Sequence, residues 1–194
     1  MSFVQDFGAR WEMFLLRNRG KYKTKNTTAR RCFEYCILPH FYVRAEFQDI
    51  LIVGVVSFTR HYDEYFKGKR SVYTIDSNPN AASLGIRGRH IIDSIENIDM
   101  HFGPNSLDCV LMNGVYGWGL DGEGAVQKAL ANIRKVLRKG GVLVLGWDKT
   151  KEHDPLNLDG KPYFRDFSEY KGLGGSRIKA PFSRLNHIFD FYMK

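Results

Sequence analysis

The sequence predicts a doubly wound α/β domain with a mostly parallel sheet, preceded by a helical extension. Apolar runs rich in β-branched residues, such as DILIVGVV at 49–56 and GVLVLGW at 141–147, are typical of strands buried on both faces. Segments with helical spacing lie between such runs, and strands that alternate with helices imply right-handed parallel crossovers. The 194 residues suit an α/β domain at 49–194 and a helical extension at 1–48.

The elements of the α/β domain follow from these patterns in chain order. Strands are predicted at 49–56, 71–75, 90–92, 107–112 and 141–147. Helices are predicted at 59–66, 80–84 and 123–137, and the last ends in RKGG, which combines cations with a glycine stop. Residues 149–175 are polar and rich in Gly, Pro and Asp, so we expect a long irregular loop. Two short strands at 177–181 and 187–193 follow, and the second has the partial alternation of a late antiparallel strand.

The helical extension is predicted to hold two helices joined by a basic loop. The helices span 2–17 and 28–38, and we expect the second to end before Pro39. The basic segment between and around their ends, residues 17–31, contains Arg17, Arg19, Lys21, Lys23, Lys25, Arg30 and Arg31. Two interpretations stay open, a solubilising linker or a contact with a phosphate-bearing substrate or nucleic acid. The formal net charge of +8 favours anionic partners.

Several protein classes are disfavoured by composition. No apolar run reaches the ~18 residues that a membrane-spanning helix needs, and the N-terminus lacks the features of a secretory signal. The three cysteines are too few for a disulfide framework, so we expect a cytoplasmic protein. Cys32 and Cys36 are four positions apart but no second Cys/His pair lies nearby, so no metal site is expected.

Candidate binding residues follow the predicted strands, because ligands of open α/β sheets bind beyond the carboxyl ends of strands. Asp76 lies 22 positions after Gly54, close to the ~20-residue spacing of an acid that accepts ribose hydroxyls. The alternative for Asp76 is a helix cap or an Asx-turn, since DSNP is rich in turn formers. Gly54 permits close approach of the backbone to a ligand, or merely a tight strand exit.

The third and fourth strands end in further candidates. Asp93 is expected either to bind an adenine amino group or to cap the next segment. Asn113 and Gly114 end the fourth strand, facing the space where a reacting group would lie. The segment NGVYGWGLDGEG adds Tyr116 and Trp118, which offer stacking surfaces or simply anchor a glycine-rich loop.

Taken together, five segments resemble the successive motifs of class I S-adenosylmethionine-dependent methyltransferases: DILIVGVVSFTRHY, YTIDSNP, IIDS, LDCVLMNGVYGWGLD and ANIRKVLRKGGVLVLGW. The resemblance covers residues 48–148, and HIFDFYMK is similar to the family's terminal antiparallel hairpin. It implies a Rossmann-like sheet and S-adenosylmethionine as cofactor. The residues that it places beside the methionine end, the ribose, the adenine and the methyl group are Gly54, Val55, Ser57, Asp76, Ser77, Asp93, Ser94, Asn113 and Gly114.

The first loop departs from the family's pattern of an acidic residue followed by three glycines. Ile52 stands at the acidic position, and Val56 and Phe58 replace two glycines. A branched Val56 predicts a narrower cofactor site or a different loop path. The missing glycines also disfavour NAD-dependent chemistry, whose pyrophosphate loop needs them.

Two functions therefore compete. The first is a methyltransferase acting on a small or phosphorylated acceptor, and the second is a non-catalytic relative that binds nucleic acid or another polyanion through the basic segment. Methyl transfer needs positioning more than covalent help, and a base only when the acceptor is protonated. The catalytic candidates are His153, His187, Asn113 and Tyr116. The two histidines titrate in a suitable range and lie in late loops, which usually cover the substrate side in this fold.

Overall fold

A computed structural model describes residues 3–22, 25–158 and 162–194, without the side chains of residues 3–6. Within these ranges eight strands form one sheet. They are β1 Asp49–Val53, β2 Ser71–Asp76, β3 His90–Ile92, β4 Leu107–Asn113, β5 Leu137–Asp148, β6 Ser168–Glu169, β7 Arg177–Lys179 and β8 His187–Met193. The order is β3-β2-β1-β4-β5-β8, and both β6 and β7 pair with β8. Strands β1 to β5 are parallel and β8 is antiparallel to β5, so the predicted fold class is confirmed.

Helices cover both faces of the sheet. The α-helices are α1 Phe3–Asn18, α2 Thr28–Cys32, α3 Leu38–Val43, α4 His61–Phe66 and α5 Glu123–Val136. The 3₁₀ segments are Pro79–Leu84, Ile95–Met100 and Pro162–Phe164. None of the helices in the described ranges is long and apolar enough to cross a membrane.

Alternate residues of each central strand pack into two separate hydrophobic cores, one on each face of the sheet. Ile50 and Ile52 of β1 pack with α1, α3 and α4 on one face. Leu51 and Val53 face the other side and pack with α5. This two-sided burial explains the continuous apolar runs that predicted the strands. The N-terminal helices therefore cover one face of the sheet. The loop that follows β1 lies between the helices of the two faces.

Several element boundaries differ from the prediction: β5 begins at Leu137 rather than at residue 141, and β6 lies within the predicted loop 149–175. Two further differences have a local reason. Strand β1 ends at Val53 rather than at residue 56, because Gly54 has a φ of +81° and turns the chain out of the sheet. The second helix does not end before Pro39. A π-helical turn at Phe33–Ile37 widens the helix at this point, and the Leu38 amide bonds to the Phe33 carbonyl. Pro39 therefore lies in the first turn of the α-helix Leu38–Val43, where no amide hydrogen is needed.

Candidate active site

A cavity of about 910 Å³ lies at the carboxyl ends of the central strands, where the chain order reverses between β1 and β4. Its volume falls within the roughly 300–1,000 Å³ typical of small-molecule sites. Eight of the nine predicted cofactor-binding residues line it, and they are Gly54, Val55, Asp76, Ser77, Asp93, Ser94, Asn113 and Gly114. The fold thus brings residues from four separate loops to one space.

Asp76 ties the first two loops together. Its Oδ2 accepts a hydrogen bond from the Val55 amide at 2.8 Å, and its Oδ1 accepts one from the Asn78 amide at 2.8 Å. The second bond is the Asx-turn that the sequence offered as the alternative. A carboxylate has about four acceptor positions, so two remain for hydroxyl groups of a ligand. The turn therefore fixes the carboxylate without exhausting it.

The residues that replace the family's glycines leave the cavity open. Val56 and Phe58 both line its wall, and Val56 is 40% exposed. Thr59 closes the loop by donating its hydroxyl to the Val56 carbonyl at 2.9 Å. Ser57 is exposed at the tip of this turn and does not line the cavity, so the structure does not place it with the other predicted residues.

Asp93 is held by its own surroundings. Its Oδ1 accepts bonds from the Ser94 amide at 2.7 Å and the Asn97 side chain at 2.9 Å, and its Oδ2 lies 2.7 Å from His101 Nε2. The His101 and Asn97 hydrogen bonds hold the pKa of Asp93 below its usual range. The capping alternative is therefore present in the structure, at a position that also borders the cavity.

A hydrogen-bonded chain connects the ends of β4, β5 and β8. His187 Nε2 lies 3.0 Å from Asn113 Oδ1, and His187 Nδ1 lies 2.6 Å from Asp148 Oδ1. Asp148 Oδ2 accepts a bond from Trp118 Nε1 at 3.1 Å. All four residues line the cavity. The chain fixes one imidazole beside the predicted reaction position at Asn113.

Asp148 stays ionised within this hydrogen-bonded network. Burial by itself raises the pKa of its carboxyl group, but the hydrogen bond and charge of His187, with the Trp118 donor, outweigh burial and lower it. A carboxylate at this point orients the imidazole with Nδ1–H toward β5. Nε2 is then the ring nitrogen on the Asn113 side.

Gly146 makes room for this arrangement. A Cβ atom at Gly146 would lie 2.4 Å from Asn113 Oδ1 and 2.8 Å from Phe189 Cε1. Only glycine therefore allows the Asn113 amide to lie over β5 and meet His187. The isolated glycine within an otherwise apolar strand was a sequence signal for this close approach.

Two of the four catalytic candidates do not line the cavity. Tyr116 is buried and donates to Asp154 Oδ1 at 2.7 Å, which anchors the loop after β5. Burial, with the Asp154 hydrogen bond, raises the pKa of Tyr116, so it remains a neutral donor. His153 is also buried and stacks behind Trp118 with ring centroids 3.9 Å apart. Both residues support the wall because their side chains are held by the 149–158 loop rather than directed into the cavity.

The basic segment is largely folded against acidic residues. Arg17 forms an ion pair with the fully buried Glu34. Arg19 and Lys21 both contact Glu64, at 3.3 Å and 2.9 Å. Hydrogen bonds from Tyr22 and Lys21 hold the pKa of Glu64 below its usual range.

The later part of the segment behaves differently. Arg31 bonds to Asn26 at 2.5 Å, whereas Lys25 and Arg30 line the cavity. Lys23 lies outside the described residues. The segment is therefore not a uniform cationic surface.

Known methyltransferases share this architecture. A family described as a methyltransferase domain matches residues 52–145, whereas no curated protein matches the sequence. The N-methyltransferase NodS from Bradyrhizobium japonicum, in complex with S-adenosyl-L-homocysteine, has a TM-score of 0.67 at 13% identity, with 98% of each chain covered. Residues 52–145 thus match the methyltransferase-domain family, and the chain has the fold of class I S-adenosylmethionine-dependent methyltransferases.

Two more methyltransferases have a similar fold. A 1,6-didemethyltoxoflavin-N1-methyltransferase from Burkholderia thailandensis has a TM-score of 0.59 at 15% identity, covering 100% of this chain and 91% of that one. A methyltransferase from Archaeoglobus fulgidus has a TM-score of 0.57 at 13% identity, covering 95% and 99%. The similarity to the first and to NodS includes the N-terminal helices as well as the sheet, since nearly the whole chain is covered.

Sequence reasoning missed part of the candidate site. Asp148, which holds His187, was not among the candidates, although it ends β5 in the same way that Asp76 ends β2. The rule that polar residues at strand ends form the site could have found it. The stretch 182–185 also lines the cavity, and only its position between two late strands hinted at that.

Proposed function

We propose that the protein is a methyltransferase that binds S-adenosylmethionine in the cavity and transfers its methyl group to a small acceptor. One observation carries the proposal: Gly54, the Asp76 carboxylate and the Asn113–His187–Asp148 chain border a single open space. In this proposal the backbone at Gly54 and Val55 contacts the methionyl part. Asp76 accepts the ribose hydroxyls, and the region of Ser94 lies beside the adenine.

The side chains present fit such a cofactor. Asp76 retains acceptor positions after its two backbone bonds, and bonds to a charged acceptor are stronger than those between neutral groups. Gly54 presents its backbone without a side chain, and a Cβ atom there would lie 3.1 Å from Val115. The cofactor, when bound, supplies a methyl group on a positively charged sulfur.

The protein's own contribution is positioning of the acceptor. Asn113 and His187 lie side by side at the cavity wall, and Asp148 fixes the imidazole through Nδ1. We propose that Asn113 and His187 together hold the acceptor in place for transfer of the methyl group. Trp118, 55% exposed at the same wall, offers a flat surface against which an acceptor can stack.

Binding of nucleic acid through the basic segment is the competing function. It has less support, because Arg17, Arg19 and Lys21 are paired with acidic side chains. A polyanion would have to displace these contacts. Affinity for RNA or DNA that falls steeply with added salt would favour this alternative.

Calorimetry with S-adenosylhomocysteine tests the proposed function. We expect saturable binding to the wild-type protein and about ten- to a hundredfold weaker binding to Asp76→Asn, since a bond to a charged group contributes about 1.5–3 kcal/mol. Asp99→Asn is the matched control, because Asp99 pairs with Lys135 outside the cavity. Absence of binding to the folded wild-type protein would contradict the proposal.

A further inference from the structure

Two cations of the basic segment, Lys25 and Arg30, reach the cavity without an acidic partner among the described residues. Lys25 and Arg30 line the cavity, and no described carboxylate lies within ion-pair distance of either. Arg17, Arg19 and Lys21, earlier in the same segment, are paired with acidic side chains. The fold thus neutralises one part of the segment and turns the other part into the cavity.

Arg30 is held in place by a buried network. Its Nη1 donates to the Tyr62 hydroxyl at 2.8 Å, and that hydroxyl donates to Glu34 Oε1 at 2.9 Å. Burial raises the pKa of Tyr62, so the hydroxyl keeps the proton that it donates. Glu34 is fully buried and is also paired with Arg17. Among the described residues, Nη1 is the only guanidinium nitrogen of Arg30 with a hydrogen-bond partner.

Phe58 supports both cations. The Arg30 guanidinium carbon lies 4.9 Å from the centroid of the Phe58 ring, and Lys25 Nζ lies 5.4 Å from it. These distances are typical of cation–π contacts. Phe58 is one of the residues that replace the family's glycines in the first loop. The loop that follows β1 therefore provides an aromatic ring against which both cations pack.

From these contacts, and resting on the proposed function, we infer that the methyl acceptor is anionic and that Lys25 and Arg30 bind its phosphate or carboxylate group. Arg184 lines the same cavity from the loop before β8 and adds a third positive charge. The guanidinium fork and the ammonium suit oxyanions, which they bind with charge-assisted hydrogen bonds.

Charge balance favours the acceptor over the cofactor as the source of this anion. S-adenosylmethionine carries a sulfonium and an ammonium but a single carboxylate, so it adds net positive charge to the cavity. The nearby acids already have donors, since Asp76 bonds to backbone amides and Asp148 to His187. Lys25 and Arg30 have no carboxylate within ion-pair distance among the described residues, so an anionic group of the acceptor would supply their countercharge.

Inorganic phosphate is the probe for this site. It is titrated by calorimetry into protein saturated with S-adenosylhomocysteine and, separately, into protein without it. We expect saturable binding to the wild-type protein, weakened about tenfold, or about 1.4 kcal/mol, in Lys25→Gln and again in Arg30→Gln. Lys21→Gln is the matched control, because Lys21 contacts Glu64 in the same segment, and it should bind like the wild type. Unchanged binding in both cavity variants, or no phosphate binding to the wild type, would overturn the inference.

A second arm identifies the source of the anion. S-adenosylhomocysteine is compared with 5′-methylthioadenosine, which lacks the carboxylate. Unchanged affinity of Arg30→Gln for both ligands assigns the cation to the acceptor, whereas an equal loss for both would assign it to the adenosyl group and overturn the inference. A tenfold loss confined to S-adenosylhomocysteine would assign it to the cofactor and overturn the inference. Failure of S-adenosylhomocysteine to bind the wild type counts against the proposed function alone, since phosphate is also titrated without it.

Discussion

Replacing Glu34 by Gln should destabilise the protein strongly. Glu34 is fully buried, pairs with Arg17, whose side chain is 7% exposed, and accepts a hydrogen bond from Tyr62. The substitution keeps the shape of the side chain but leaves the Arg17 guanidinium buried without a countercharge. Loss of one partner from a buried ion pair costs about 3–5 kcal/mol. We expect a loss of that size in the free energy of unfolding, measured by urea denaturation.

Glu64→Gln provides the matched control. Glu64 also contacts two cations of the basic segment and a tyrosine, but its side chain is 28% exposed. Exposed pairs contribute about 0–1 kcal/mol, so this variant should change stability little. Equal losses for the two variants, or a loss below about 1 kcal/mol for Glu34→Gln, would show that burial does not set the difference.

The remaining predictions concern buried histidines and a packed glycine. Burial, with the charges of Arg17 and Arg30, lowers the pKa of His61 to about 4, and burial with Arg44 lowers that of His40 to about 3. Below pH 6.5, the ordinary pKa of histidine, these two histidines are therefore protonated in the unfolded chain but not in the folded protein. The free energy of unfolding should fall as the pH drops from about 6.5 toward 4, by up to about 1.4 kcal/mol per pH unit per group. Urea denaturation across this range should show a smaller slope for His61→Gln, and an unchanged slope would contradict the assignment. Gly146→Ala should cost about 1–3 kcal/mol by crowding Asn113, whereas Gly124→Ala, in open space on α5, should not destabilise. Thermal melting that ranks these two variants equally would contradict the packing argument.

The sheet could be predicted from sequence because its central strands are buried on both faces. Leu51 and Ile52 face different cores, yet both must be apolar, and this produces a run that only a parallel strand explains. The carboxyl-end rule then located Asp76 and Asn113 without any contact information.

Other features depended on contacts between distant segments. Tyr116 and His187 are both polar aromatic residues near strand ends, but only the packing of the 149–158 loop turns Tyr116 away from the cavity. The cationic segment looked uniform, because the acids that neutralise its first half lie in later helices. Pro39 predicted a helix end, and the π-turn that accommodates it has no strong local signal.

A structure of the protein with S-adenosylhomocysteine tests the central claim most directly. The account predicts an adenosyl group in the cavity, with ribose hydroxyls on the Asp76 carboxylate and the sulfur facing Asn113 and His187. A ligand bound elsewhere, or a first loop in which Val56 and Phe58 exclude the nucleoside from the cavity, would contradict it.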